Sequence, residues 1–104
     1  MNAVQEQVKE LVKVELAAAN EKFPPFHSMH EGWAVIMEEL DELKTEVNMA
    51  DASLTEAWEH IKSNNPLAEN EVNWARSYAI NAACEAIQVA AMCRKFMEMG
   101  KQNG

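Results

Sequence analysis

Breakers of regular structure are scarce in this chain, and that scarcity constrains its fold more than any other feature. Only three glycines and three prolines occur in 104 residues, the prolines confined to Pro24-Pro25 and Pro66. Good helix formers dominate the rest, and no segment alternates β-branched with polar residues as a half-buried strand does. An all-α fold follows, and we expect a four-helix, bundle-like arrangement within one domain spanning residues 1–104. The first helix should run from Ala3 to Lys22, with Val4, Val8, Leu11, Val12, Ala18 and Ala19 on its apolar stripe, and stop at Pro24-Pro25. Ser28 followed by Glu31 forms a Ser-x-x-Glu capping box that opens a second helix reaching Asn48 or Met49. Ser53 with Glu56 repeats the signature and predicts a short third helix, closed by Asn64-Asn65-Pro66. The fourth is expected over Leu67 to Met99, with Gly100 and Lys101 at its end and Gln102 to Gly104 frayed.

Charge distribution along the second helix is unusual. At about 100° per residue, Glu38, Glu39 and Glu42 share roughly a 100° arc, while Ile36, Leu40, Leu43 and Val47 occupy the opposite side. Glu31 and Glu46 extend the acid stripe at either end, and almost no cation accompanies it. Glutamates four apart repel by a few tenths of a kcal/mol, where a lysine at that spacing would stabilise, so something positive should compensate. Glu85 raises the same question on the fourth helix, because it interrupts an apolar stripe of Trp74, Tyr78, Ala82, Val89, Met92 and Phe96. An unpaired carboxylate is expensive to bury there. Gln88 and Asn81, each one turn away, add further oxygens. A hard divalent cation suits oxygen-only ligands, and magnesium, which is commonly completed by substrate phosphates, fits best.

These residues carry a family resemblance. Glu38-Glu39-Leu40-Asp41-Glu42 matches a Glu-Glu-x-x-Glu run, and Glu85-Ala86-Ile87-Gln88 matches a later Glu-x-x-Asp except at its last position. With the flanking Phe26-His27-Ser28-Met29-His30-Glu31-Gly32 and Val89-Ala90-Ala91-Met92, the chain from about Phe23 to Phe96 resembles the small single-domain MazG-like all-α nucleoside triphosphate pyrophosphohydrolases. The resemblance implies magnesium-dependent cleavage of a nucleoside triphosphate to monophosphate and pyrophosphate. It also implies that Glu38, Glu39, Glu42 and Glu85 are catalytic and metal-binding, with Gln88 as a further ligand. Gln88 puts a neutral amide where the family pattern has an anion, which implies weaker binding of one metal, a changed ion count or recruitment of a nearby acid.

Other readings of the same residues stand beside this one. The acid stripe could be a solvated face, and the chain a catalytically silent acidic bundle that binds a basic protein. Asp41 points away from the glutamate cluster and suits surface pairing with Lys44. Trp58 and Trp74 are assigned to packing, whereas Trp33 and Tyr78 could also stack on a base. His27 and His30 flank a helix cap, and His60 has no companion. The Glu-x-x-His pairs of di-iron bundles and the His-Glu-x-x-His of zinc proteases are absent, as is a Gly-rich phosphate loop. Phosphate contacts would then fall to metal and to cations such as Lys44, Arg76, Arg94 or Lys95, whose plainer roles are surface solubility and helix-end charge.

The formal net charge of −8 disfavours nucleic-acid polymers and anionic membranes as partners. No apolar run approaches the roughly 20 residues of a membrane span, and Met1 to Glu10 is too polar for a signal peptide, so a cytoplasmic protein is expected. Cys84 and Cys93, nine residues apart on one helix, cannot bridge each other and are expected to be free, buried thiols. A fourth helix apolar nearly all round predicts a homodimer, with further pairing into a tetramer left open.

Overall fold

The computed structural model describes residues 2–102, and residues 100–102 by their backbone alone. Three helices make up the described chain: α1 (Gln5–Lys22), α2 (Met29–Lys62) and α3 (Ala68–Gln102). The all-α expectation holds; the count of four does not. The anticipated second and third helices are one continuous helix of 34 residues, α2, in which Ser53 is an interior residue. Between Asn48 and Ser53 there is neither glycine nor proline. Propagating a helix through such a stretch costs far less than ending it and nucleating another, so the second capping signature goes unused. At the far end, α3 continues through Gly100 and Lys101 to Gln102 instead of ending at Met99. The anticipated fraying of residues 103 and 104 lies outside the described residues.

The chain divides into two compact units, residues 1–40 with 85–104, and residues 41–84. The first contains α1, the start of α2 and the second half of α3. Its core joins Val12 and Leu16, one turn apart on α1, to Ala91 of α3, with Ile87, Ala90 and Met92 packed alongside. The apolar stripe anticipated for α1 is thus only partly used, since Val4, Val8 and Leu11 remain exposed. Phe23 ends α1 in an extended conformation (φ −129°, ψ 145°) ahead of the two prolines, its amide donating to the Ala19 carbonyl at 2.9 Å. Beyond the prolines, buried Phe26 leads into α2. Ser28 caps that helix as anticipated, its Oγ accepting from the Glu31 amide at 3.1 Å. The Glu31 side chain turns instead to His27, whose Nδ1 lies 3.0 Å from Oε2. Gly32 is required here, because a Cβ at that position would stand 2.6 Å from Cδ2 of Phe96 and 3.0 Å from Cδ2 of Phe26.

The second unit is a helical hairpin formed by the end of α2 and the beginning of α3. Asn64 adopts φ 54°, a left-handed conformation that asparagine tolerates, and its amide donates to the Ile61 carbonyl at 3.1 Å. Asn65 closes the turn with an amide bond to the His60 carbonyl at 2.8 Å. Its Oδ1 accepts from the Leu67 amide at 3.0 Å, which starts the next helix just after Pro66. Ala57 and Ala75 are the buried residues of this unit. Small side chains at those positions allow close helix contact, but they leave the large ones outside. Trp58 and Trp74, assigned to packing by their spacing, are 56% and 57% exposed.

Candidate functional site

The acid stripe and Glu85 meet in the first unit. One carboxylate oxygen of Glu39 and one of Glu85 lie within 4.8 Å of each other, and both side chains are half-buried. Each has its Oε2 fully shielded from solvent. Two carboxylate groups so placed repel strongly unless a proton or a cation lies between them. Glu42 follows Glu39 by three residues on α2, so helix geometry directs it to the same face one turn on; its side chain is exposed.

Beside Glu39 the first unit carries a cavity of about 440 Å³, within the size range of small-molecule sites. Phe23, Pro24 and Phe26 supply part of its apolar wall, and Glu31, Glu38, Glu39 and Gln88 part of its polar wall. Four of the eight acidic or amide positions singled out by sequence, Glu31, Glu38, Glu39 and Gln88, therefore line one cavity, although Glu38 and Glu31 remain largely exposed. Glu46 does not extend this site. Half-buried, it accepts a hydrogen bond from Asn81 Nδ2 at 3.4 Å, a link between α2 and α3 within the second unit.

Lys95 is the residue that sequence reasoning undervalued. Instead of a surface charge near a helix end, it is only 6% exposed, with its Nζ 4.9 Å from the centre of the Phe26 ring, and it lines the same cavity. A cation over an aromatic face gains roughly 2 kcal/mol when desolvated, which offsets part of the cost of burying the ammonium. The one available signal was spacing. Glu85, Gln88, Met92 and Lys95 follow each other at intervals of three, four and three, within about an 80° arc of α3.

Other candidates are placed less suggestively. Asp41 is exposed, and Thr45 Oγ1 donates to its backbone carbonyl at 3.0 Å, while no ion pair joins it to Lys44 among the described residues. Arg94 sits 3.6 Å from Glu98, and Arg76 donates twice to Asn73 Oδ1 at 3.1 and 3.2 Å. His60 lies 3.6 Å from Glu56. His30 and Trp33 border a shallow groove with Met29 and Phe96, Trp33 being 62% exposed. Trp74 and Tyr78 stack on each other, with ring centres 6.2 Å apart. Cys84 and Cys93 are free, as expected, but exposed rather than buried, because this chain supplies no cover for the parts of α3 that carry them. No described helix is long and apolar enough to cross a membrane. No protein-family model, curated protein or solved structure matches this chain.

Proposed function

We propose that this protein is a magnesium-dependent nucleoside triphosphate pyrophosphohydrolase of the MazG-like type, acting as a cytoplasmic homodimer. The observation that carries the reading is the approach of Glu39 and Glu85 from two helices, each with one shielded oxygen, beside a cavity of ligand size. An all-oxygen donor set of this kind suits magnesium. Glu39 and Glu85 would hold the ion, with Glu42 one turn further along α2 and Glu38 and Gln88 on the cavity wall completing the donor set. Bound magnesium supplies charge neutralisation for the phosphates and lowers the pKa of a coordinated water. The chain's own part is to orient the triphosphate, exclude bulk water with Phe23, Pro24 and Phe26, and accept the water's proton on a wall glutamate. Water then attacks the α phosphorus, the bond to the bridging oxygen breaks, and pyrophosphate leaves from the monophosphate.

Self-association is supported by Val47, Leu54, Trp58 and Ile61, which recur at intervals of seven, four and three along α2 and are each at least half exposed. Such a stripe has the spacing of a helix-packing seam.

The test of the activity is product identification after incubation with a panel of ribo- and deoxyribonucleoside triphosphates and magnesium. Monophosphate with pyrophosphate is the expected outcome. Glu39→Gln should lower turnover by about a hundredfold or more while leaving the helical signal unchanged. No turnover of any nucleotide would leave the acidic bundle as a protein-binding module, and orthophosphate as the first product would point to a different hydrolysis on the same scaffold.

A further inference from the structure

Helix α1 presents apolar residues in two directions. Val12 and Leu16 are buried in the core of the first unit, whereas Val4, Val8, Leu11 and Val14 are 61%, 37%, 49% and 63% exposed. At about 100° per residue the two sets lie roughly 120° apart around the helix axis. Glu6, Lys9, Glu10 and Lys13 take a third sector, roughly opposite the exposed apolar one. They pair among themselves, Lys9 with Glu6 at 3.3 Å and Lys13 with Glu10 at 3.0 Å. A helix covered on one side only would spread such charges over the rest of its circumference. Here the one polar side chain of the outward sector between Val4 and Val14 is the uncharged Gln7.

We propose that this face of α1 joins two copies of the chain, antiparallel across a two-fold axis near Val8. It acts in addition to the α2 stripe, so that dimers pair into tetramers, and it is independent of the proposed activity. The charge distribution selects the occupant. Nine acidic residues and two lysines fall on α2, whereas the segment from Val4 to Val14 holds two glutamates and two lysines. Two copies of so acidic a chain repel least where their charges cancel locally, and that is along the first turns of α1. A basic partner would be drawn to α2 instead, and an anionic membrane would find too few cations here. A second copy offers an uncharged patch of the same shape. Val8, midway along it, then meets its own counterpart, while Val4 of one copy meets Leu11 of the other. From Val4 to Val14 the helix rises only about 15 Å, short for a permanent interface. Pairing should therefore depend on concentration, with the dimer proposed above prevailing in dilute solution.

Sedimentation velocity of the full chain across a concentration series tests this. The mass of wild type should double as concentration rises. Val8→Glu and Val8→Lys each set like charges against each other across the axis, and each should weaken this step by roughly tenfold or more with the helical signal retained. An equimolar mixture of the two variants should recover the larger species, because glutamate then faces lysine. Val14→Glu, at a more exposed position, tests the same face if position 8 does not tolerate a charge.

A wild type whose mass does not rise with concentration overturns the inference, as does a rise that survives both Val8→Glu and Val14→Glu. Folded Val8 variants whose mixture recovers nothing overturn it too, since the face would then meet a different surface of the other copy. So does a wild type that fails to pair through α1 but binds neutral lipid vesicles, which would make the face a membrane anchor. Trp58→Glu separates the two contacts. If it lowers the mass while the doubling persists, both contacts hold. If it changes nothing while Val8→Glu abolishes the doubling, the α2 contact alone fails.

Discussion

Replacing Glu85 with glutamine should have opposite consequences with and without magnesium. The oxygens of Glu39 and Glu85 approach within 4.8 Å, and two unit charges at that distance repel by about 3 kcal/mol at an effective dielectric constant of 20. Both side chains are only partly buried, so screening by solvent brings the repulsion nearer to ~1 to 2 kcal/mol. The metal-free wild type carries this cost wherever both carboxylates are ionised, and Glu85→Gln does not. In a domain of this size each kcal/mol moves the melting temperature by roughly 4 to 8 °C, so in chelator the variant should melt higher by that amount or more. Magnesium reverses the comparison. A ligand at a hundredfold excess over its Kd stabilises the folded state by about 2.7 kcal/mol, which wild type should show and the variant should largely lose. Thermal unfolding followed by circular dichroism, with chelator and then with a magnesium series, reads all four values. A wild-type melting temperature that magnesium does not raise, or an equal rise in Glu85→Gln, would refute the reasoning. A variant that melts lower in chelator would show that the paired carboxylates are already neutralised within the fold.

Two further predictions concern the scaffold. Gly32→Ala should destabilise the protein by about 1 to 3 kcal/mol in urea unfolding, because the added methyl group meets the Phe96 and Phe26 rings and forces them to shift. An unchanged midpoint would mean that those rings yield freely. Trp58→Glu places a charge on the exposed stripe of α2 and should disrupt the proposed dimer, so that the variant sediments as a monomer where wild type sediments as a dimer, while its helical signal persists. A wild type that sediments as a monomer would remove this face from the assembly.

Local chemistry accounts for what was legible in the chain itself. Helix content, the stop at Pro24-Pro25, the Ser28 cap and the turn at Asn64-Asn65-Pro66 all depend on groups within a few residues of one another. The acid face of α2 is equally local, since periodicity alone places Glu38, Glu39 and Glu42 on one side. Ser53 and Glu56 mark the boundary of that kind of reading. Their side chains have the capping pattern, but capping competes with uninterrupted helix propagation, and nothing between Asn48 and Ser53 breaks the helix.

Tertiary structure decided which faces are covered and which side chains meet. Glu39 and Glu85 are 46 residues apart, and their approach depends on how α2 and α3 are rotated against each other, a quantity that no single-helix pattern contains. Burial of Lys95 follows from the position of Phe26, which the two prolines carry from α1 toward α2. Exposure of Trp58 and Trp74 follows from the choice of Ala57 and Ala75 as the contact residues of the hairpin. An amphipathic pattern fixes the side of a helix on which apolar residues lie, but it does not specify whether their cover comes from the same chain. The sequence by itself therefore determined the helical class and the chemistry along each helical face, and packing determined which of those chemistries share a cavity.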